Sequence, residues 1–206
     1  MSHVAPRELP RRERRRRDTH RRIVLAAIAE FDRVGVAQAR VEHICRAADV
    51  TRPTFYAHFP SKEDVLLELQ RRAANAIADE ILARLAEAAS LPEVIEALVE
   101  GLFAAAGPVS PRLRREIMSF DVRERRTALW EGTPLFREVR RRFDAARARG
   151  EIASHHDPAQ LTHWMLVTLI GFLVGDAPDL DASREDARNV LQLVVKGLRA
   201  TEPANA

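Results

Sequence analysis

Residues 41–62 constrain the fold of this chain more than any other stretch, because they form two short helical patterns separated by a tight turn. In the first pattern, apolar or small residues follow the i, i+3, i+4 and i+7 spacing of one helical face: Val41, Ile44, Cys45 and Ala48. Asp49 then interrupts the pattern, and its short side chain tolerates the left-handed backbone conformation of a turn. Thr51 can cap a new helix with its hydroxyl group, and Pro53 stands in the first turn, where a missing N–H is harmless.

The second short helix has the composition of a helix that reads the DNA major groove. Phe55 and Phe59, four residues apart, give it an apolar edge that can be buried. Side chains able to form hydrogen bonds occupy another face: Arg52, Thr54, Tyr56 and His58. A short helix that buries two phenylalanines while it exposes a polar, non-acidic face is what recognition of base edges requires.

A preceding helix extends this motif. Its matching positions are Ile23, Ala26, Ala27 and Phe31, with Gly35 in the turn that follows. The specific part is the block V-T-x-x-T-F-Y-x-H-F-x-S-K at residues 50–62. With these motifs, residues 23–62 resemble the N-terminal DNA-binding domain of the TetR (tetracycline repressor) family of bacterial transcriptional regulators. The resemblance implies an all-α fold of about nine helices, in which a three-helix DNA-binding domain precedes a helical ligand-binding and dimerisation domain.

The resemblance also implies which residues contact DNA: Arg40, Thr51, Arg52, Thr54, Tyr56, His58 and Lys62. Tyr56 and Lys62 are the candidates for phosphate contacts, and the candidates for base edges or nearby phosphates are Thr51, Arg52, Thr54 and His58. The chain departs from the family pattern at Asp49, which replaces a glycine, and at Pro53, which replaces a small residue. Arg40 stands where the family usually has a threonine, so we expect the cap of the second helix to be weaker or supplied by another residue.

The distribution of charge indicates a polyanionic partner at the N-terminal end. The chain has a formal net charge of +3, but residues 1–62 carry 14 basic and 7 acidic side chains. Residues 1–17, which include the run R-R-E-R-R-R-R, show no apolar periodicity, and we expect them to form a disordered basic arm. Such an arm can contact phosphates or the minor groove beside the recognition helix, or it can be a solvated tail that aids solubility.

Helical signals continue beyond the DNA-binding motif and divide the chain there. We expect the DNA-binding domain to span residues 18–62 and a helical regulatory and dimerisation domain to span residues 63–206. Ser61 begins a long helix as its N-cap, with Glu63 and Asp64 in the first turn.

The second domain contains side chains that are candidates for an effector pocket: Phe103, Met118, Phe120, Trp130, Phe136, His163 and Trp164. Their spacing is equally that of ordinary core residues, and their composition favours an apolar or amphipathic small molecule. No cofactor or metal ion is predicted. His155 and His156 are adjacent and point apart, and the following Asp157-Pro158 has the pattern of an N-cap and a helix start.

The last two predicted helices carry more apolar side chains than one helical face needs. The surplus makes these residues candidates for a dimer interface: Leu169, Phe172, Leu191, Val194, Val195 and Leu198. In the TetR family the last two long helices of each subunit form a four-helix bundle across a two-fold axis, so the resemblance implies a homodimer. The alternative is burial of both helices within one monomer. A two-fold dimer presents two recognition helices to successive turns of the major groove, so the expected target is an inverted repeat.

These patterns predict a DNA-binding transcriptional regulator and argue against an enzyme, because the chain lacks a nucleophile elbow, a phosphate-binding glycine loop and a metal constellation. We expect a homodimeric repressor that a small-molecule effector releases from its operator. The alternatives are an activator, or a constitutive or architectural DNA-binding protein without an effector. A single cysteine, Cys45, and the lack of a signal sequence or membrane-length apolar run fit a cytoplasmic protein without membrane partners.

Overall fold

The computed structural model is all-α over the residues that it describes, which are 10–106, 109–123, 133–175 and 179–198, with the backbone alone for 118–123. These ranges contain nine helices: α1 (Arg11–Val34), α2 (Val41–Ala47), α3 (Arg52–His58), α4 (Lys62–Leu85), α5 (Leu91–Ala104), α6 (Pro111–Arg123), α7 (Pro134–Ala148), α8 (Pro158–Val174) and α9 (Leu180–Leu198). The predicted all-α fold is confirmed. None of the described helices is long and apolar enough to cross a membrane.

The first helix begins earlier than the sequence pattern predicts. We expected a disordered arm over residues 1–17, but α1 starts at Arg11, so the arginine run forms its first two turns. Arginine is a good helix former, and Glu13 lies in the first turn, where a carboxylate is favourable. A chain segment without apolar residues can still be helical when it extends a helix whose later turns are buried. Residues 1–9 lie outside the described residues.

The first three helices pack around buried side chains of the helix-turn-helix. Ile23, Phe31, Ile44 and Phe55 are completely buried. Asp49 adopts a left-handed conformation, with φ of 51°, in the turn between α2 and α3. Thr51 caps α3 as predicted, and its hydroxyl oxygen accepts a hydrogen bond from the backbone N–H of Thr54 at 3.3 Å. The turn and the cap therefore fix the start of the recognition helix.

The compact unit that contains the DNA-binding helices ends at Gln70, eight residues beyond the expected boundary. Ser61 opens α4 by accepting a hydrogen bond from the backbone N–H of Asp64. Val65 and Leu66 in the first turns of α4 are buried. The carboxylate of Glu68 lies 2.9 Å from Nε2 of His20 on α1. These contacts attach the first turns of α4 to the first unit. The boundary therefore lies within α4 and not at its start, because it depends on where the side chains pack.

The second unit, Arg71–Ala206, has its own apolar core. Helix α5 starts with a capping box between Ser90 and Glu93, and its residues Leu98 and Leu102 are fully buried. Gly101 lies against α4 so closely that an added Cβ would be 2.8 Å from the Cα of Ile81. Helices α7, α8 and α9 complete the core, which holds most of the apolar side chains described in this unit.

Candidate nucleic-acid interface

Two buried phenylalanines hold the recognition helix α3 on its domain. Phe55 is completely buried, and Phe59 at the end of the helix is nearly so. The ring of Tyr56 packs edge-on against Phe55, while 44% of the residue stays exposed. Thr51 and Arg52 are exposed beside it, and Thr54 is half-buried. The predicted division of α3 into a buried apolar edge and an open polar face is therefore present.

Two neighbouring side chains, Glu42 and Tyr56, hold the Arg52 guanidinium in place on this face. Its Nη1 lies 2.7 Å from Oε1 of Glu42 on α2, and its guanidinium carbon lies 5.9 Å from the centre of the Tyr56 ring. A hydrogen bond with Tyr56 and the ion pair with Glu42 raise the pKa of Arg52. Because an exposed ion pair of this kind adds little net stability, Arg52 can exchange Glu42 for a phosphate or a base edge.

The start of α2 is capped by a residue of another helix. Arg40 occupies the N-cap position and is exposed, and its side chain makes no capping hydrogen bond. Instead, the buried carboxylate of Glu30 on α1 accepts a hydrogen bond from the backbone N–H of Arg40. Oε2 of the same carboxylate is 2.6 Å from Nη2 of Arg33, and Oε1 is 3.0 Å from Nδ1 of His43. Burial alone raises the pKa of Glu30, but the hydrogen bonds from Arg33 and His43 outweigh it and lower the pKa.

Lys62 has a structural role that the sequence did not reveal. Its Nζ donates hydrogen bonds of 3.0 Å to the carbonyl oxygens of Ala37 and Ala39, in the segment between α1 and α2. These bonds use two of the three ammonium donors, and the side chain is half-buried. Lys62 thus joins the start of α4 to this segment, and a phosphate contact by its remaining donor stays a prediction.

His58 faces the first helix more than the open surface. Its ring centre is 5.7 Å from that of His20, which itself stacks on Phe59 at 4.7 Å. Burial, followed by the electrostatic effect of the nearby His20 and Arg16 side chains, lowers the pKa of His58. Because His58 is half-buried beside His20, a contact of its side chain with DNA stays a prediction.

The arginine turns of α1 add positive charge next to this site. The exposed arginines of the run are Arg11, Arg12, Arg14, Arg15, Arg16 and Arg17. Arg17 lies 3.6 Å from Glu13, and Arg16 is close enough to lower the pKa of His58. The basic run is therefore a helical element with a defined direction beside the C-terminal end of α3.

Three of the seven candidate pocket residues come together in the second unit. Phe136, His163 and Trp164 line an open groove of about 590 Å³ between α7 and α8, together with Arg137 and Arg140. Phe103 does not reach this groove and lies in the core. The candidates Met118, Phe120 and Trp130 fall outside the side chains that the structure describes.

Four of the six candidate interface residues are already buried within the single chain, which corrects the expectation that they face a partner: Leu169, Leu191, Val195 and Leu198. Phe172 is half-buried, and only Val194 is exposed. The other large exposed apolar residues of these two helices were not among the interface candidates: Trp164 and Val167 on α8, and Val190 and Leu193 on α9. The spacing of apolar residues could not identify the exposed ones, because both helices are apolar on more than one face. Apolar spacing alone does not distinguish the face that packs in the core from the face exposed to solvent.

The helices that build the candidate interface match a known family in sequence. The profile described as "Bacterial regulatory proteins, tetR family" matches residues 23–69. The HTH-type transcriptional regulator EthR of Mycobacterium tuberculosis is 41% identical over 83 residues, which cover 38% of this chain. EthR of Mycobacterium bovis matches to the same extent. In each case the match spans only 38% of the relative's own length.

Solved structures resemble the chain over most of its length. The fatty acid degradation regulator FadR from Bacillus halodurans has a TM-score of 0.67 at 23% identity, covering 88% of this chain and 96% of FadR. SmeT, the repressor of the Stenotrophomonas maltophilia multidrug efflux pump SmeDEF, has a TM-score of 0.66 at 23% identity, covering 92% and 99%. A transcriptional regulator from Saccharomonospora viridis, solved in complex with choline, has a TM-score of 0.62 at 21% identity, covering 85% and 96%.

At these identities the structural likeness establishes the fold alone, and the sequence match concerns the N-terminal helices. The profile covers α3 and both phenylalanines that anchor it, together with the cap of α2 and the start of α4. The match therefore places residues 23–69, which build this recognition helix, in a helix-turn-helix DNA-binding domain of the type found in the tetR family of bacterial regulatory proteins.

Proposed function

We propose that the chain is a homodimeric repressor that binds an inverted-repeat operator and leaves it when a small molecule binds the second unit. The observation that carries the DNA-binding part is the polar face of α3, where Thr51, Arg52 and Tyr56 are exposed to solvent while Phe55 is buried. In this proposal residues 63–206 form the regulatory and dimerisation region, and the protein acts in the cytoplasm, where its DNA target lies.

Dimerisation is supported by the exposed apolar stripe, which we define as Trp164, Val167, Val190, Leu193 and Val194. Along the two helices this stripe continues through Gly171 and Gly197, at which an added Cβ would meet nothing within 4 Å. Apolar residues in such a row leave surface that a second copy can cover, and glycines permit close helix approach. One recognition helix alone contacts too few base pairs to select a site, whereas a two-fold dimer doubles the contacts.

An effector is supported by what similar structures bind and by the composition of the groove. The Saccharomonospora viridis regulator holds choline, and SmeT represses an efflux pump. In the present chain, Trp164 and Phe136 offer apolar surface in the groove beside polar His163. Binding there releases DNA only if the ligand prefers the conformer that does not fit the operator.

The test is binding of the full-length protein to DNA from around its own gene, followed by fluorescence anisotropy over a series of salt concentrations. We expect one fragment to bind tightly and with steep salt dependence, and Arg52→Ala together with Tyr56→Ala to weaken binding by at least about tenfold. Arg84→Ala is the matched control, because Arg84 is a partly exposed arginine of the second unit that is paired with Glu80. Equal, weak binding to every fragment would favour the architectural alternative over a repressor.

A further inference from the structure

The first residue of the recognition helix carries a guanidinium that two neighbouring side chains hold in place. Helix α3 begins at Arg52, whose Nη1 lies 2.7 Å from Oε1 of Glu42 in the first turn of α2. One turn further along α3, the centre of the Tyr56 ring lies 5.9 Å from the guanidinium carbon. Both helices of the helix-turn-helix therefore fix the position of one cation, at the end of the recognition helix that contacts base edges in such motifs.

The partner of this cation, Glu42, is a carboxylate beside a surface that faces a polyanion in the proposed complex. Its side chain and that of Arg52 are both exposed. The sequence-independent attraction between protein and DNA comes from cations that replace the counterions of the phosphates. An arginine that is already paired with a carboxylate contributes less to this attraction than an isolated one. The pair is therefore poorly suited to a phosphate contact.

The same pair is well suited to a base edge. Guanine presents two neighbouring acceptors, O6 and N7, in the major groove, and an arginine pairs with both through two parallel hydrogen bonds. This contact requires a guanidinium in one orientation, and a side chain that is held before binding loses less conformational entropy when the contact forms. Arginine has five N–H donors, so the ion pair with Glu42 leaves enough donors for both bonds.

We propose that Arg52 recognises a guanine in each half-site of the operator, and that Glu42 is a positioning residue that orients the guanidinium for this contact. The Glu42 carboxylate also repels phosphates, so it weakens binding to DNA that lacks the guanine. Specificity gains from both effects, since one favours the correct site and the other disfavours the rest. This inference rests on the proposed binding of an operator, and it adds the base that Arg52 recognises.

Two consequences separate this role from a phosphate contact and from a purely structural pair. Arg52→Gln removes the guanine contact, so the preference for guanine is lost at one position of the half-site while preferences elsewhere remain. Loss of a phosphate contact would instead weaken binding to all sequences alike. Glu42→Gln keeps the shape of the side chain but releases the guanidinium, so the guanine preference falls while binding to unrelated DNA becomes stronger.

The experiment selects duplexes from a random pool with the full-length protein and sequences the bound fraction, which gives the base preference at each position. Fluorescence anisotropy then compares the selected site with the same site carrying adenine in place of the guanine. Adenine keeps the N7 acceptor but has a donor where guanine has O6. We expect the wild type to prefer guanine by about tenfold or more, Arg52→Gln to lower this ratio to about twofold or less, and Glu42→Gln to lower it at least about threefold.

Asp49→Asn is the matched control, because Asp49 is an exposed carboxylate of the same unit that pairs with another arginine, Arg22, at 3.7 Å. It removes the same charge as Glu42→Gln and should leave the guanine preference unchanged.

Three results overturn the proposal. In the first, Arg52→Gln weakens binding to all sequences alike and lowers the slope of log K against log salt by about 0.9 for each subunit, as a lost phosphate contact would. In the second, Glu42→Gln leaves the guanine preference intact, and in the third, Asp49→Asn lowers it equally. In each of these cases a selected site still supports the proposed repressor. A pool from which no sequence is enriched contradicts both the recognition of guanine and the proposed operator binding.

Discussion

At the scale of single residues, Glu30 connects two helices of the DNA-binding domain and replaces a missing cap. Its carboxylate receives hydrogen bonds from Arg33 and His43 and from the backbone N–H of Arg40 at the start of α2. From the sequence, Arg40 predicts a weak or substituted cap, but nothing marks Glu30 as the substitute. Its partners lie 3, 10 and 13 residues away along the chain, and only the packing of α1 on α2 brings them together.

We predict that Glu30→Gln lowers the free energy of unfolding by about 1 to 2 kcal/mol at neutral pH, because a neutral amide replaces the carboxylate that accepts from Arg33, His43 and the Arg40 N–H, while the solvent exposure of Arg33 and His43 limits the loss. Urea unfolding followed by circular dichroism measures this value. Glu13→Gln, which removes the exposed carboxylate near Arg17, should change stability by less than about 0.5 kcal/mol.

The effect of Glu30 should also depend on pH. The folded protein lowers the pKa of Glu30 below its ordinary value of 4.5, so the folded state binds this proton less readily than the unfolded chain. The stabilisation is therefore complete above the ordinary pKa and is lost as pH falls through the lowered, folded-state value. The difference in stability between wild type and Glu30→Gln should shrink on acidification. A difference that stays constant from neutral to acidic pH would contradict the assigned role.

At the scale of elements, the basic start of α1 has one face directed at the recognition helix. Arg12, Arg16 and His20 follow one another at i, i+4 and i+8, and His20 packs on Phe59. Arg14 and Arg21 lie on the opposite side of the same helix and are equally exposed. A helical arm can therefore hold selected arginines near the DNA backbone, whereas a disordered arm would use all of them alike.

We predict that Arg12→Gln with Arg16→Gln weakens operator binding and lowers the slope of log K against log salt by roughly 2, since each phosphate contact contributes about 0.9. The measurement is fluorescence anisotropy at several salt concentrations. Arg14→Gln with Arg21→Gln removes the same charge from the opposite face and should change the slope by clearly less. Equal slopes for the two double variants would show that the arginines act only through net charge.

The elements also show how far the sequence predicts the structure. Thr51 as a cap, Phe55 and Phe59 as anchors and Ser61 as a helix start are local patterns, and the structure has them all. The helical state of Arg11 to Arg17 was missed, because helix extension from a buried helix leaves no apolar pattern. The buried placement of Arg114 was missed as well, since R-L-R-R does not reveal which arginine faces the core.

At the scale of the whole molecule, the last two helices of the second unit expose apolar side chains to solvent, although the unit also has a buried apolar core. Leu169 and Leu191 are buried, while Trp164 and Leu193 on the same helices are 53% and 65% exposed. Exposing large apolar side chains in a continuous row to water is unfavourable, so such a row is expected to be covered by another surface. In the proposed homodimer, a second copy of the chain covers this row and also supplies the second recognition helix for an inverted repeat.

We predict that Leu193→Glu converts the protein to a monomer in sedimentation equilibrium and weakens operator binding by at least about a hundredfold, because one recognition helix cannot replace two. Folding should be retained, since Leu193 contributes little to the core of the single chain. Gln192→Glu introduces the same charge at the neighbouring exposed position, outside the stripe, and should stay dimeric with unchanged DNA affinity. If Leu193→Glu remains dimeric, the apolar stripe is not the subunit interface, and if it is monomeric yet binds the operator normally, the inverted-repeat mode of recognition is wrong.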